Sequence, residues 1–308
     1  MRALVTGGAG FIGSNLVDAL TERGDDVIVV DDLSTGRRSN LAEALSAGAR
    51  LHEVDIRNAA ALRAVVANQR TEAIFHLAAQ IDVRHSVSDP ARDAEVNIHG
   101  TINVLEAARQ EGVRRVVYSA TGGAIYGKAE TYPTPEDDPV RPLAPYGQSK
   151  YAAEGYCDLY RRLHGISVVT LRYANVYGPR QDPLGEGGVI AIFCGRLATG
   201  ESPTVFGDGR QTRDYTYVGD VVGANLLAAE SDAVGAYNIG TGIETSVLDL
   251  IEEMAPMSRN GTFSPEFVAA RPGEVQRSVL DASQARAELE WQPAVDLSDG
   301  LQRTLGSL

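Results

Sequence analysis

The chain opens on the stretch Leu4-Val5-Thr6-Gly7-Gly8-Ala9-Gly10-Phe11-Ile12-Gly13, and the apolar pattern Ser14 to Leu20 follows it. An apolar run, a cluster of glycines and a helical pattern predict a strand, a tight turn and a helix. The glycine spacing fits the fingerprint of dinucleotide-binding turns. Glycine suits such a turn because a side chain would hold the backbone away from a pyrophosphate. The helix N-terminus would then offer free N–H groups to the phosphates.

A second strand pattern, Asp25 to Asp32, ends in acids at the spacing of roughly 20 residues expected for a ribose-binding carboxylate. Asp31 is therefore predicted to accept hydrogen bonds from an adenosine ribose; the alternative is a strand-end cap. Its charge would repel the additional phosphate of NADP, which favours NAD, although Arg37 and Arg38 follow closely.

The composition is that of a globular protein. The 308 residues are 44% hydrophobic and 22% charged, which allows one large α/β domain or one domain with a smaller appendage. A net charge of −13 argues against nucleic acid or an anionic membrane as a partner. Cys157 and Cys194 give no disulfide framework, the first strand leaves no room for a signal peptide, and no run is apolar enough to span a bilayer. We expect a cytoplasmic protein without a metal site.

Short β-branched runs alternate with helical patterns in the first half, as in a parallel sheet covered on both faces. The third strand ends at Asp55-Ile56, and small residues, Leu77-Ala78-Ala79-Gln80, follow the fourth. Ligands bind at the carboxyl ends of such strands, so both segments are expected near a cofactor, Asp55-Ile56 beside its adenine. His76 lies in an apolar run and is interpreted as a core histidine bonded to backbone. Asn97, on a helix from about Ala94 to Glu111, is expected to tie strand-end loops together beneath a nicotinamide.

A tyrosine and a lysine precede the next helical pattern, Tyr151 to Leu163. Tyr146 and Lys150 are one helical turn apart and would share a face. A phenol is a poor base at neutral pH, but an ammonium and a cationic nicotinamide nearby would stabilise its phenolate. Tyr146 is therefore a candidate proton shuttle beside a hydride acceptor.

Together these motifs resemble the extended short-chain dehydrogenase/reductase superfamily and, within it, the UDP-galactose 4-epimerase group. The similarity continues through Arg172 to Pro179, Phe206 to Gly209, Arg213 to Tyr215 and Asn238 to Gly242. It implies an α/β fold: a Rossmann-type doubly wound parallel sheet at 1–170, with returning segments from about 212–242, and a smaller nucleotide-sugar lobe at 171–308. It implies NAD-dependent 4-epimerisation of a UDP-hexose through a transient 4-keto sugar.

By that resemblance Tyr146 is the catalytic base, and Lys150 holds the nicotinamide ribose and lowers the pKa of the phenol. A serine or threonine hydroxyl assists them, but the usual position falls on Gly122. Because this loop looks one residue longer, Thr121 is the first choice and Ser119 the second.

The same loop separates related reactions. Sugar-nucleotide 4,6-dehydratases place Asp-Glu after the hydroxyl residue, whereas this chain has Gly122-Gly123-Ala124. A dehydratase is therefore disfavoured. A lysine that some epimerases carry after the fourth strand is replaced by Gln80-Ile81-Asp82. The alternatives are a nucleotide-sugar 4-reductase or dehydrogenase, a UDP-uronic acid epimerase and a non-catalytic NAD sensor, which would not need the Tyr146/Lys150 pair.

The resemblance also implies two sets of ligand contacts and a homodimer through helices around Ile98 to Glu111 and Tyr151 to Leu163. Arg213 and Arg271 match diphosphate-binding arginines, and Ser278 falls where a small residue admits an N-acetyl group. For NAD the implied contacts are Gly7, Gly10, Phe11, Ile12, Gly13, Asp31, Asp32, Ser34, Thr35, Gly36, Asp55, Ile56, Leu77, Ala78, Ala79, Gln80, Asn97, Ser119, Tyr146, Lys150 and Tyr173. For the UDP-sugar they are Arg84, Thr121, Gly122, Gly123, Tyr146, Asn175, Val189, Val205, Phe206, Arg213, Arg271, Glu274 and Ser278.

Overall fold

The computed structural model describes residues 1–183, 188–258, 262–271 and 275–308. The strands are β1 (Arg2–Thr6), β2 (Asp26–Asp31), β3 (Arg50–Glu53), β4 (Ala73–His76), β5 (Arg115–Thr121), β6 (Ser167–Tyr173), β7 (Asn175–Tyr177), β8 (Thr204–Phe206), β9 (Thr212–Arg213), β10 (Tyr215–Tyr217), β11 (Gly235–Ile239), β12 (Thr245–Ser246) and β13 (Glu266–Val268). The helices are α1 (Phe11–Glu22), α2 (Ala42–Ser46), α3 (Ala59–Gln69), α4 (Val83–Ser88), α5 (Pro90–Ala94), α6 (Gly100–Glu111), α7 (Gly122–Ile125), α8 (Pro145–His164), α9 (Val189–Thr199), α10 (Val218–Glu230), α11 (Val247–Met254), α12 (Ser283–Glu288) and α13 (Leu297–Leu305). Within these ranges no helix combines the length and the apolar character needed to cross a membrane.

Seven parallel strands form the central sheet in the order β11-β6-β5-β4-β1-β2-β3. The order runs outward in opposite directions from the β1/β4 pair, which makes this pair the switch point of the sheet. Thr6 at the end of β1 pairs with both Val30 and His76, so the carboxyl ends of three strands are in register there. This is the predicted doubly wound arrangement, in which a ligand crevice lies beyond the switch point.

Both faces of the sheet are apolar because consecutive strand residues point to opposite sides. Leu4 and Ile74 pack in a cluster with side chains of α3, α6 and α8, whereas Val5 and Phe75 pack in a cluster with those of α1 and α10. The near-continuous apolar runs of the strands follow from this double coverage.

A second core lies in the later part of the chain. Side chains of α9, α11 and α13 and of three short strands form it; examples are Phe193, Leu250, Leu301, Tyr177 and Val205. Phe11 and Ile12, on the first turn of α1, pack against this cluster. The glycine turn is therefore in contact with the smaller core as well as with the sheet.

Two helices differ from their predicted extents. Helix α8 begins at Pro145 rather than Tyr151, and Pro145 suits the first helical position because its missing N–H needs no partner there. The helix predicted from about Ala94 to Glu111 is not α-helical throughout. A π-helical turn, Glu95–His99, connects α5 to α6. Tyr146 and Lys150 thus lie in the first turns of α8, and Asn97 lies in the π-helical turn.

Candidate active site

The turn between β1 and α1 packs backbone directly against backbone. A Cβ atom on Gly13 would lie 2.1 Å from the carbonyl oxygen of Gly7, and one on Gly7 would lie 2.6 Å from the amide nitrogen of Ala78. Gly7 also has a φ of +69°, which side chains rarely allow. In the described chain no side chain caps the N-terminus of α1 at Gly10. The N–H groups of this terminus therefore have no side-chain acceptor, and the cradle fits the pyrophosphate of a dinucleotide.

Asp31 lies beside this turn at the end of β2. Its carboxylate accepts hydrogen bonds from the backbone N–H groups of Ala9 and Leu33, both at 2.9 Å. Burial raises the pKa of Asp31, and these two bonds partly offset that rise. The side chain also lies against Gly36, where a Cβ atom would come within 2.8 Å of the carboxylate. The glycine turn, Asp31 and the loop at Gly36 form one continuous surface.

Asn97 fixes the loop that follows β4. Its side-chain oxygen accepts from the backbone N–H of Gln80, and its amide nitrogen donates to the Gln80 carbonyl, both at 2.9 Å. Closer to the strand, the backbone N–H of Ala78 donates to the hydroxyl of Thr6 at 3.2 Å. Among the described residues Asn97 holds one strand-end loop, not several loops as predicted.

His76 is a core residue, as predicted, but its partners are threonine hydroxyls and not backbone groups. Nδ1 lies 2.7 Å from the Thr6 hydroxyl, and Nε2 lies 3.0 Å from the Thr101 hydroxyl. Thr101 donates its proton to the Asn97 carbonyl at 2.6 Å, so Nε2 must be the donor and Nδ1 the acceptor. Burial lowers the pKa of His76 to about 3. The imidazole is therefore neutral and joins β1, β4 and α6.

Tyr146 lies against the end of β5. Burial raises the pKa of Tyr146 to about 12, whereas the Thr121 side chain acts on the phenol and lowers this pKa. Ser119, two residues earlier in β5, is instead bonded to the Tyr173 hydroxyl at 2.9 Å, and Asn225 holds that hydroxyl from the far side. The structure brings Thr121, and not Ser119, to the candidate base.

Lys150 lies one turn further along α8 with only 4% of its surface exposed. Its ammonium nitrogen is 4.7 Å from the centroid of the Tyr118 ring. Burial lowers the pKa of Lys150 to about 8, and electrostatic interactions with Cys157 and Asp93 oppose that shift. Among the described carboxylates, none forms an ion pair with this ammonium. Lys150 is a buried cation held by a ring and by longer-range charge.

Three residues predicted for the sugar side surround one small cavity beside Thr121. A Cβ atom on Gly122 would lie 2.4 Å from the side chain of Leu280, and one on Gly123 would lie 3.5 Å from the side-chain oxygen of Asn175. Ser278 is buried in the same wall. The lining residues are Gly122, Gly123, Tyr126, Gly127, Ala129, Tyr132, Thr134, Arg277, Ser278 and Leu280.

The predicted diphosphate arginines lie at the edges of the smaller core. The Arg271 guanidinium carbon lies 3.8 Å from the centroid of the Phe206 ring, and Arg213 donates to the Thr212 carbonyl at 2.8 Å. Glu274, predicted for the uridine ribose, lies outside the described residues. The structure therefore pairs Arg271 with Phe206, both of which the sequence assigns to the nucleotide sugar.

Other predicted contacts have structural partners of their own. Asp55 accepts from the Arg57 side chain at 2.9 Å and 3.0 Å. Val205 is buried inside the second core, and Val189 packs against that core at the start of α9. The Arg84 side chain is 81% exposed, 3.9 Å from Asp82. Their place beside a ligand stays a prediction.

Two buried carboxylates near the site escaped the sequence analysis. Asp214 accepts from the N–H groups of Thr241, Gly242 and Leu280, which fixes the strand beside Arg213. Asp93, in the short helix α5, binds three side chains around α8 and the β4 loop. Neither has a local pattern that distinguishes it from an exposed acid. For Asp214, the position next to Arg213 was a usable signal.

The chain matches known proteins over nearly its full length. The model of the NAD-dependent epimerase/dehydratase family matches residues 3–240. The UDP-glucose 4-epimerase of Mycolicibacterium smegmatis is 47% identical over 307 residues, which cover 99% of this chain and 97% of that protein. The crystal structure of Thermotoga maritima UDP-glucose 4-epimerase with UDP-glucose has a TM-score of 0.95 and 45% identity, with 100% and 98% of the two chains covered. The NAD complex of Thermus thermophilus UDP-glucose 4-epimerase has a TM-score of 0.91 and 42% identity, with the same coverage.

Burial of Lys150 should cost stability. The pKa of about 8 lies below the ordinary value of 10.5, so the ammonium destabilises the fold by about 3 kcal/mol below pH 8. This cost declines between pH 8 and 10.5 and disappears above that range. We predict that Lys150→Met raises the free energy of unfolding of the ligand-free protein at pH 7, and that the gain shrinks toward pH 10.5. Denaturant titration at both pH values measures this difference.

Lys128→Met is the matched control, because Lys128 is exposed. It should change the free energy of unfolding by less than about 0.5 kcal/mol at either pH. A Lys150→Met protein that is less stable than the parent at pH 7 would contradict the burial argument.

Proposed function

The chain belongs to the NAD-dependent epimerase/dehydratase family, and from this premise we propose that it is an NAD-dependent 4-epimerase of UDP-hexoses. The observation that carries the proposal is its 47% identity, over almost the whole of both chains, to a UDP-glucose 4-epimerase. Tyr146, with the Thr121 side chain acting on its phenol and Lys150 one turn away, supplies the groups that such a reaction needs.

The glycine turn and Asp31 fit NAD. The N–H groups at the start of α1 would bind the pyrophosphate, and glycine at positions 7 and 13 leaves the cradle open to it. The Asp31 carboxylate would accept from the adenosine ribose, and the Lys150 ammonium would donate to the nicotinamide ribose. When bound, NAD accepts a hydride from C4 of the sugar and later returns it.

Tyr146 and Thr121 handle the proton of the C4 hydroxyl. A phenol whose pKa is about 12 is protonated at neutral pH, so it becomes a base only when positive charge stabilises the phenolate. Lys150 lies on the same helix and provides one such charge. The Tyr146 oxygen takes the proton directly or through the Thr121 hydroxyl and gives it back when the sugar is reduced from its other face.

The wall at Ser278 supports N-acetylated hexoses as additional substrates. Ser278 is small and lies in the cavity lined by Gly122 and Gly123, where a larger side chain would fill the space. By the family resemblance, this wall limits the substituent of the hexose. UDP-glucose and UDP-galactose carry no N-acetyl group, so they would fit with either a small or a larger residue at position 278.

The substrate assignment is tested by incubating the purified protein with UDP-galactose and, separately, with UDP-N-acetylglucosamine. We expect the C4 epimer of each by NMR with no net change in NADH. We also expect Ser278→Tyr to lose at least about tenfold of kcat/KM for the N-acetyl sugar and to keep turnover of UDP-galactose. Net oxidation or reduction would favour the dehydrogenase or reductase alternative, and unchanged N-acetylhexose turnover in Ser278→Tyr would remove the role of that wall.

The catalytic hydroxyls are tested by removing them one at a time. We expect Tyr146→Phe to lower kcat by about 10²- to 10⁴-fold and Thr121→Val to lower it by a smaller factor, since both move the C4 proton. Ser119→Ala is the matched control, because its hydroxyl is bonded to Tyr173 and not to Tyr146. A larger loss in Ser119→Ala than in Thr121→Val would reverse the assignment of the assisting hydroxyl.

We further propose a homodimer through α6 and α8. Tyr156, Leu159 and Leu163 follow helical spacing along α8 and are 37%, 37% and 66% exposed, although the opposite face of the helix is in the core. A second copy would cover this apolar stripe, in keeping with the family resemblance.

The mass in solution tests this proposal. We expect light scattering to give twice the 32.8 kDa of one chain. Leu163→Glu, combined with Leu159→Glu, should give the single-chain mass. Val234→Glu replaces another exposed apolar residue, away from α8, and should leave the mass doubled. A single-chain mass for the parent protein would refute the dimer.

The expected compartment is the cytoplasm. Cys157 and Cys194 are both buried and unpaired, as suits a protein of a reducing environment.

A further inference from the structure

Asp93 is a fully buried carboxylate, and its donors in the described part of the chain are all uncharged. Its solvent exposure is 0%, although it lies in the short helix α5. One carboxylate oxygen accepts from the Gln80 amide at 2.8 Å and from the Asn97 amide at 3.1 Å. The other accepts from the Ser149 hydroxyl. A buried charge without a bonded cation is costly, so its presence calls for a physical reason.

The three donors belong to the two sides of the proposed active site. Gln80 lies in the loop after β4, and Asn97 holds the backbone of that same residue by two hydrogen bonds. Ser149 lies on α8 between Tyr146 and Lys150. Asp93 therefore connects the loop on the cofactor side to the helix that carries the candidate base.

Asp93 also supplies a negative charge that acts on the Lys150 ammonium. Four other titratable groups near Lys150, namely Cys157, Tyr118, His76 and Glu154, are each neutral or already paired. Burial raises the pKa of the Cys157 thiol and of the Tyr118 phenol and lowers the pKa of His76, so all three are uncharged at neutral pH. Glu154 is bonded to the Arg172 guanidinium at 3.1 Å. Within the described residues, Asp93 is left as the unpaired negative charge that acts on Lys150 from another helix.

We propose that Asp93 is a positioning residue of the epimerase: its carboxylate aligns the Gln80 loop with α8 and supplies the negative charge that accompanies the buried Lys150 ammonium on that helix. The proposal rests on the proposed function, in which that ammonium binds the cofactor ribose and stabilises the Tyr146 phenolate. The proposal explains why a carboxylate is buried at position 93: its negative charge partly offsets the free-energy cost of burying the Lys150 ammonium.

Asp93→Asn separates the charge from the hydrogen bonds. The amide oxygen of the substituted side chain can accept from Gln80 and Asn97. The amide NH₂ group can donate to the Ser149 oxygen, because the Ser149 hydroxyl can send its own proton to the Pro145 carbonyl at 2.9 Å. Ser149→Ala is the complementary variant, since it removes one bond and leaves the charge in place.

Lysine NMR measures the charge effect directly, because the chain contains only Lys128 and Lys150. Labelling at Cε gives two signals, and the exposed Lys128 serves as an internal reference. In the NAD-saturated enzyme we expect Asp93→Asn to lower the pKa of Lys150 by on the order of half to one unit. The Lys128 signal should not change. Ser149→Ala should leave the Lys150 titration where it is in the parent.

The pH profile of UDP-galactose epimerisation is the second readout. The carboxylate raises the pKa of both Tyr146 and Lys150, so its removal should move both limbs of the profile toward lower pH. Ser149→Ala should lower kcat without moving either limb. Asp93→Glu, which restores the charge, should restore the limbs toward their positions in the parent.

An unchanged Lys150 titration in Asp93→Asn, with a lower melting temperature and fixed limbs, would overturn the proposal and leave Asp93 as a packing residue. If Asp93→Asn does not fold, Asp93→Ser carries the same expectation for the Lys150 signal. Failure of the parent to epimerise UDP-hexoses would refute the proposed function, whereas the lysine titration would still decide whether Asp93 controls Lys150.

Discussion

Direct backbone contact at the glycine turn is the constraint on which the rest of the site depends. Two positions there have no room for a Cβ atom: Gly13 against the carbonyl of Gly7, and Gly7 against the amide of Ala78. This contact brings the ends of β1 and β4 together at the switch point of the sheet. Asp31, the Gln80 loop and the start of α1 then take their places around one crevice, and Phe11 and Ile12 carry the contact on to the smaller core.

The buried polar groups of the candidate active site lower the stability of the fold. Lys150 and Asp93 are buried charges without an ion pair between them, and burial raises the pKa of Tyr146 and keeps its phenol protonated. Other buried titratable groups avoid an unpaired charge. His76 is neutral because burial lowers its pKa, and Arg172 is paired with Glu154. His76 and the Arg172–Glu154 pair hold the structure, whereas Lys150, Asp93 and Tyr146 lie where the proton is proposed to move.

Local patterns were enough to predict the sheet, the glycine turn, Asp31 and the Tyr146/Lys150 pair, because each depends on residues that are near in sequence. The choice of Thr121 required the offset of one residue in the loop after β5; its side chain acts on the Tyr146 phenol, and its catalytic role stays a prediction. Asp93 could not be found this way, since two of its three partners, Gln80 and Ser149, lie 13 and 56 residues away in elements that only tertiary folding brings together. The predicted start of α8 was wrong because proline often interrupts a helix, whereas Pro145 occupies the first helical position here.

Packing also narrows the chemistry that this framework can perform. By the family resemblance, a dehydratase needs an acid and a base directly after the hydroxyl residue, at the positions of Gly122 and Gly123. A Cβ atom on Gly122 would lie 2.4 Å from the side chain of Leu280, which is itself buried and hydrogen-bonded through its N–H to Asp214. A carboxylate there would have to displace a leucine whose backbone is fixed by a buried acid. The contact with Leu280 thus favours glycine at position 122, and a carboxylate there would require the Leu280 side chain to shift as well.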